Sequence, residues 1–260
     1  MRDIEAIRRD PFALWVCVGD YCDFISPSDK RFDPASVDAT VTINDLTSYA
    51  YNVSNQIAEL FSPIAGKCIG FGLGNHDLKY LSRNSEMYIH QSICDRLNTR
   101  NLMYSGWADL YFVYDPALGR PRMTYGVPEQ GFNLNRSRLR ILTFHGRGAA
   151  ATAGGKLNAL KSVVDMVETA NLIITGHLHE QIMKCFPRLN PGENCDGIQA
   201  NPVMALITGT YLRTYMPEYV SYGEQKAYPP TTLGATRARY IPSTLTLTVE
   251  NRADGVGVRG

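Results

Sequence analysis

No apolar run in this chain approaches the roughly 20 residues that a membrane span requires. The opening stretch, Met1 to Asp10, lacks the apolar core of a secretory signal. Those two absences lead us to expect a cytoplasmic protein with no membrane partner. Cysteine pairing is missing as well: the six cysteines (Cys17, Cys22, Cys68, Cys94, Cys185, Cys195) contain no CxxC spacing, which argues against a disulfide framework or a zinc ribbon. There is almost no net charge. A formal value of +1 gives no reason to expect general binding to nucleic acid or to acidic membranes. Internal repeats, low-complexity runs and linker-like breaks in composition are also absent, so residues 1–260 read as one domain.

With 44% hydrophobic and 20% charged residues, the composition is that of a globular protein. Four stretches read as buried strands because their apolar residues are continuous rather than alternating: Ala13–Val18, Cys68–Leu73, Leu139–Phe144 and the run that ends at Thr175. Between them lie helical patterns. One covers about 37–64, with Leu46, Tyr49, Val53, Ile57 and Leu60 at spacings of three and four. Another covers about 85–99, and a third opens at Gly154-Gly155 and runs to about 169 with Leu157, Leu160, Val163, Val164 and Val167 as its stripe. Residues 2–9 could form a short helix. Residues 101–126, rich in Tyr, Phe and Val, predict antiparallel strands or hairpins, and further strands are expected at 181–186, 203–208 and 244–250. The Pro- and Tyr-rich stretch 211–242 reads as ordered loop, with Tyr211, Tyr215 and Tyr222 as packing residues. Strands alternating with helices argue for an α/β layered architecture.

In such sheets the loops after the strands build the site. Those loops begin Gly19-Asp20, Gly74-Asn75-His76-Asp77, His145-Gly146 and Gly176-His177-Leu178-His179. The chain has only five histidines, and four of them fall in these loops. Core histidines would be spread without regard to strand ends. Alternation along an extended chain would point His177 and His179 the same way, toward one ion or two neighbouring ions; the plainer alternative is a pair of surface histidines. Asp20, Asn75, His145, His177 and His179 supply oxygen and imidazole donors together. That mixed set suits Mn, Fe, Zn or Ni, with Mn favoured, over Ca or a thiolate metal.

Gly19-Asp20-x-x-Asp23, Gly74-Asn75-His76-Asp77, His145 and Gly176-His177-x-His179 together resemble the calcineurin-like metallophosphoesterase superfamily, over about residues 13–210. The stretch from Gly209 to Gly234 is similar to small phage and bacterial phosphoesterases. The resemblance implies a four-layer αββα sandwich with a binuclear centre that hydrolyses a phosphodiester or phosphomonoester, nucleotides and nucleic acid included, through metal-activated water. It implies that Asp20 bridges two divalent ions, that Asn75, His145 and His177 complete one set, and that His179 serves the other. It further implies that His76 assists the leaving group and that Asp23 orients His76. For Asp77 a helix N-cap is expected.

One departure accompanies the match. The family's first strand ends in Asp-x-His, and no Asp-x-His occurs anywhere in this sequence. The expectation is therefore of a domain truncated relative to the family with its first strand missing, or of a protein that keeps one full ligand set and a partner set reduced to Asp20 and His179. A non-catalytic, one-metal or metal-free binding protein is the alternative function. Arg147 is a candidate contact for a substrate phosphate through its planar fork, with a solvated surface arginine as the alternative. The run Gly148–Lys156 fails as a phosphate loop because its first glycine is misplaced and Leu157 follows the lysine, so it reads as a mobile loop over the site.

Overall fold

A computed structural model describes residues 2–251 apart from 28, 31, 33, 35, 36, 38–40, 116–119, 126–137, 192–194 and 216–219. It is a mixed α/β protein. The described residues divide into two compact units, the first within 2–105 and 213–230 and the second within 106–212 and 231–251.

The first unit is built on a three-stranded parallel sheet in the order β1 (Trp15–Cys17), β2 (Cys68–Gly72), β3 (Asn101–Met103). β2 lies in the middle and is buried at every residue, as its unbroken apolar sequence predicts. β1 is shorter than the expected 13–18 and only half-buried throughout, because it stands at the edge of the sheet. Trp15 stacks on Phe61 and donates its indole N–H to the Ile64 carbonyl at 2.8 Å. β3 does not begin a hairpin. It joins β2 in parallel after a crossover through α4 (Asn75–Arg83) and α5 (Tyr88–Arg96).

The helix expected over 37–64 is two pieces, α2 (Ile43–Thr47) and α3 (Tyr49–Phe61), with a 3-10 turn at Ser62–Lys67; residues 38–40 lie outside the described residues. The buried face of α3 carries Ala50, Ser54 and Ala58, while Leu60 is exposed, so small residues let α3 approach α5 closely. The short helix α1 (Arg2–Arg9) forms as expected, and the Lys67 ammonium caps its carboxyl end by donating to the carbonyls of Ile7 and Asp10. His90, on α5, is buried. It lies 3.0 Å from Asn101 Oδ1 through Nε2 and 3.3 Å from the Tyr21 hydroxyl through Nδ1, and burial holds its pKa below the ordinary value.

The second unit holds a seven-stranded mixed sheet in the order β12 (Gly234–Ala235), β11 (Val203–Thr210), β7 (Leu172–Thr175), β6 (Arg138–Phe144), β4 (Ser105–Asp115), β5 (Arg120–Tyr125), with β8 (Gln181–Phe186) also paired to β11. β6, β7 and β11 run parallel, and β4–β5 form the predicted antiparallel pair. Two small hairpins accompany the sheet, β9 (Leu189–Pro191) with β10 (Ile198–Ala200) and β13 (Arg237–Ile241) with β14 (Thr246–Glu250). Helix α6 (Ala153–Asp165) starts at Thr152, whose hydroxyl accepts from Gly155 N–H at 3.2 Å. Its Leu160, Val163 and Val164 pack with Leu142, Ile173, Val203, Ala205 and Ile207 of the sheet. Each fully buried aliphatic side chain there contributes about 1.5–3 kcal/mol. From Ala153 onward the glycine-rich run is helix rather than loop. Tyr211 is exposed rather than packed, whereas the Tyr215 hydroxyl donates to the Tyr228 carbonyl at 2.7 Å. No helix among the described residues is long and apolar enough to cross a membrane.

β4 and β6 are joined across the sheet by a bidentate ion pair: Arg140 Nε and Nη2 each lie 2.8 Å from the Asp109 carboxylate. The bond to Arg140 holds the Asp109 carboxyl below its ordinary range. A depressed carboxyl pKa stabilises the fold above the unfolded value of about 3.9 and loses that contribution as pH falls below it. Asp109→Asn should cost about 1 kcal/mol at neutral pH, since the pair is partly solvated. In urea titrations the gap between wild type and variant should close below about pH 4.

Candidate functional site

Each unit presents one set of the residues singled out above, at the carboxyl ends of adjacent parallel strands. In the first unit, β1 and β2 finish side by side, with Cys17 opposite Phe71. The chain then turns through Gly19 at φ +94° and Asp20 at φ +52°. Both glycines of this pair of loops serve a close approach. A Cβ on Gly19 would overlap the backbone of Gly74, and one on Gly74 would overlap the Asp20 carboxylate.

The fastening of these loops falls to Asp77. It is fully buried, and its Oδ2 accepts from Gly74 N–H at 2.9 Å and from Asp20 N–H at 2.8 Å, while Oδ1 accepts from Cys22 N–H at 3.2 Å. The expected N-cap role does not hold. α4 begins two residues earlier with Gly74 as its cap, and Asp77 reaches back to that cap from the first turn. Burial pushes its carboxyl up to about 7, against the pull of the backbone N–H groups.

On this frame Asp20 Oδ1 accepts from His76 N–H at 2.9 Å, and Asn75 is the first residue of α4. His76 Nδ1 lies 2.5 Å from Asp23 Oδ1, with both side chains partly exposed. The Asp23–His76 contact that the resemblance implies is therefore present. Tyr104, which no motif marked, sits near enough to Asp20 for its phenol to be pushed up, first by burial and then by that carboxylate's charge.

In the second unit β6 and β7 end together, with Phe144 opposite Thr175, and Gly176 N–H continues the ladder by donating to the His145 carbonyl at 2.9 Å. His145 is buried and meets His177 edge to face, with ring centroids 5.2 Å apart. A ring nitrogen of each lies within 4.8 Å of one on the other, near the span of a single cation with bonds of about 2.1 Å. Gly146, at φ +116°, makes this possible, because a Cβ there would stand 2.9 Å from His177 Cβ. His177 Nε2 donates to the Gly148 carbonyl at 2.8 Å.

The expectation that an extended chain aligns His177 and His179 does not hold. β7 stops at Thr175, and both histidines are in the left-handed region, at φ +65° and +50°. Leu178 N–H donates to the Gly176 carbonyl at 2.7 Å, closing a tight turn, and the Leu178 side chain packs against the core under α6. Arg147 is exposed and donates to the Ser162 hydroxyl at 3.0 Å, so one face of its fork is tied to α6. Sequence reasoning also passed over the ion pair of Lys156 with Glu180, which immediately follows His179.

No family model, no curated protein and no solved structure matches the chain.

Two substitutions test the frame. Asp77→Ala leaves buried N–H groups without an acceptor and should cost roughly 3 kcal/mol in chemical denaturation. Gly146→Ala forces a Cβ against His177 in a left-handed backbone and should cost at least about 1 kcal/mol. If either variant unfolds at the wild-type urea midpoint, the corresponding contact carries no weight.

Proposed function

We propose that the protein is a metal-dependent phosphoesterase of the calcineurin-like metallophosphoesterase type, with the αββα sandwich of that family. The observation that carries the reading is the buried His145 edge to face with His177 at the ends of two parallel strands, with ring nitrogens within 4.8 Å. A buried imidazole beside a second imidazole is a poor arrangement for packing alone and a good one for a divalent cation. The left-handed backbone at Asp20, His177 and His179 supports it further, since non-glycine residues held there cluster at functional sites.

The resemblance assigns Asp20, Asn75, His145 and His177 to one ion and Asp20 and His179 to a second; oxygen and imidazole donors of this kind suit Mn, Fe, Zn or Ni, with Mn²⁺ favoured. When bound, such ions polarise a phosphoryl oxygen and lower the pKa of water. The protein's own contribution to the chemistry is acid catalysis. Asp23 holds His76 through Nδ1, which fixes the ring, and Nε2 gives a proton to the departing ester oxygen. Arg147 keeps free N–H groups with which to bind a phosphate oxygen. The substrate is a phosphodiester or phosphomonoester, nucleotides included.

A second reading, a one-metal or metal-free binding protein, is favoured by one observation: no Asp-x-His is present to complete the set of Asp20 and His179. Metal content after Mn²⁺ loading, measured alongside hydrolysis of bis(p-nitrophenyl) phosphate, separates the two. The enzyme reading expects bound Mn²⁺ and turnover, with His76→Ala slowing turnover by roughly 10²–10⁴-fold while metal is retained. It also expects Asp20→Ala and His145→Ala each to lose the ion. Bound metal without turnover supports the second reading, and a wild type without metal rules out the enzyme.

A further inference from the structure

The left-handed backbone at both His177 and His179 is disfavoured for side chains that bear a Cβ and persists only where the surroundings hold it. Three contacts do so. The Leu178 side chain is packed into the core beneath α6. His177 Nε2 is bonded to the Gly148 carbonyl. Glu180 Oε2 lies 2.7 Å from Lys156 Nζ. The last two come from one stretch of chain, the segment that leads into α6 and forms its first turn.

Lys156 differs from the other lysine that forms an ion pair on α6. Its side chain is 11% exposed and that of Glu180 39%, whereas the Lys161–Asp165 pair is exposed at 56% and 57%. Removing one partner of an ion pair so far withdrawn from water leaves the other without its counter-charge. Glu180 is also a carboxylate one residue from His179. With Lys156 it has a fixed cationic partner; without it, the carboxylate can swing and draw the turn with it.

We infer that Lys156 is a positioning residue: its ion pair with Glu180 holds the Gly176–Glu180 turn in the geometry in which His177 and His179 bind a divalent cation. The inference rests on the metal reading above and adds to it the group that sets the affinity. Partners of this kind, which touch no metal but fix its ligands, typically account for a 10–100-fold change in metal affinity.

The test is calorimetric titration of the full chain with Mn²⁺. Lys156→Met and Glu180→Gln should each weaken Mn²⁺ binding by roughly 10-fold or more. Lys156→Arg should stay near wild type, and the exchanged double variant, Lys156→Glu with Glu180→Lys, should recover most of the loss. Lys161→Met, which breaks an ion pair of the same helix away from the turn, should leave the affinity unchanged. Wild-type affinity in Lys156→Met overturns the inference, as does an equal loss in Lys161→Met, which would mark a general effect of destabilising α6. Tighter binding in Lys156→Met would recast Glu180 as a ligand that Lys156 restrains, and would overturn it too. A wild type that takes up no Mn²⁺ removes the metal reading itself, which the variant comparison does not by itself do.

Discussion

A single buried carboxylate keeps the first unit's loops in register. Asp77 accepts from the backbone N–H groups of Gly74, Asp20 and Cys22, and so joins the turn after β1 to the turn after β2. Neither turn has regular structure of its own to satisfy those donors, and a buried N–H without a partner is costly. The orientation of Asp20, and through it the N–H of His76, depends on this one side chain. The glycines on either side are its counterpart: Gly19 and Gly74 leave the volume into which the two turns close.

The second unit reaches a similar result by other means. The parallel ladder of β6 and β7 runs one rung beyond the strands, through Gly176 N–H to the His145 carbonyl, and Gly146 lets His177 approach. Hydrophobic packing then does what Asp77 does elsewhere, with Leu178 anchoring the turn from below. In both units the side chains singled out in the sequence sit on loops but are aimed by strands, which gives a loop the accuracy of a sheet.

Much of this was legible in the residues themselves. Cys68–Gly72, Leu139–Phe144 and Leu172–Thr175 are strands because continuous apolar sequence survives only where both faces are covered. The gathering of His76, His145 and His177 at strand ends followed from where those strands stop. What could not be read is what depends on distant partners or on backbone sign. The role of Asp77 needs Asp20 and Cys22, which lie more than 50 residues away in sequence. The break between α2 and α3 at Ser48 leaves no mark in the apolar spacing. β1 has the composition of a buried strand, yet its place at an edge is a property of the sheet and not of its residues. Periodicity assumes an extended chain after Thr175, whereas the two histidines take positive φ, a choice that composition alone does not reveal.

On the metal reading proposed above, that choice of backbone also narrows the chemistry open to the site over evolutionary time. Positive φ is tolerated by Asp, Asn and His several times more readily than by other side chains bearing a Cβ. Asp20, His177 and His179 all occupy such positions. A drift toward cysteine or glutamate ligands would meet a conformational penalty before any question of coordination arose. The main chain therefore filters the alphabet from which ligands can be drawn, and the letters it admits carry oxygen and imidazole nitrogen. On that reading, a preference for hard and borderline cations over thiophilic ones would be written into the dihedral angles, ahead of the side chains that display it.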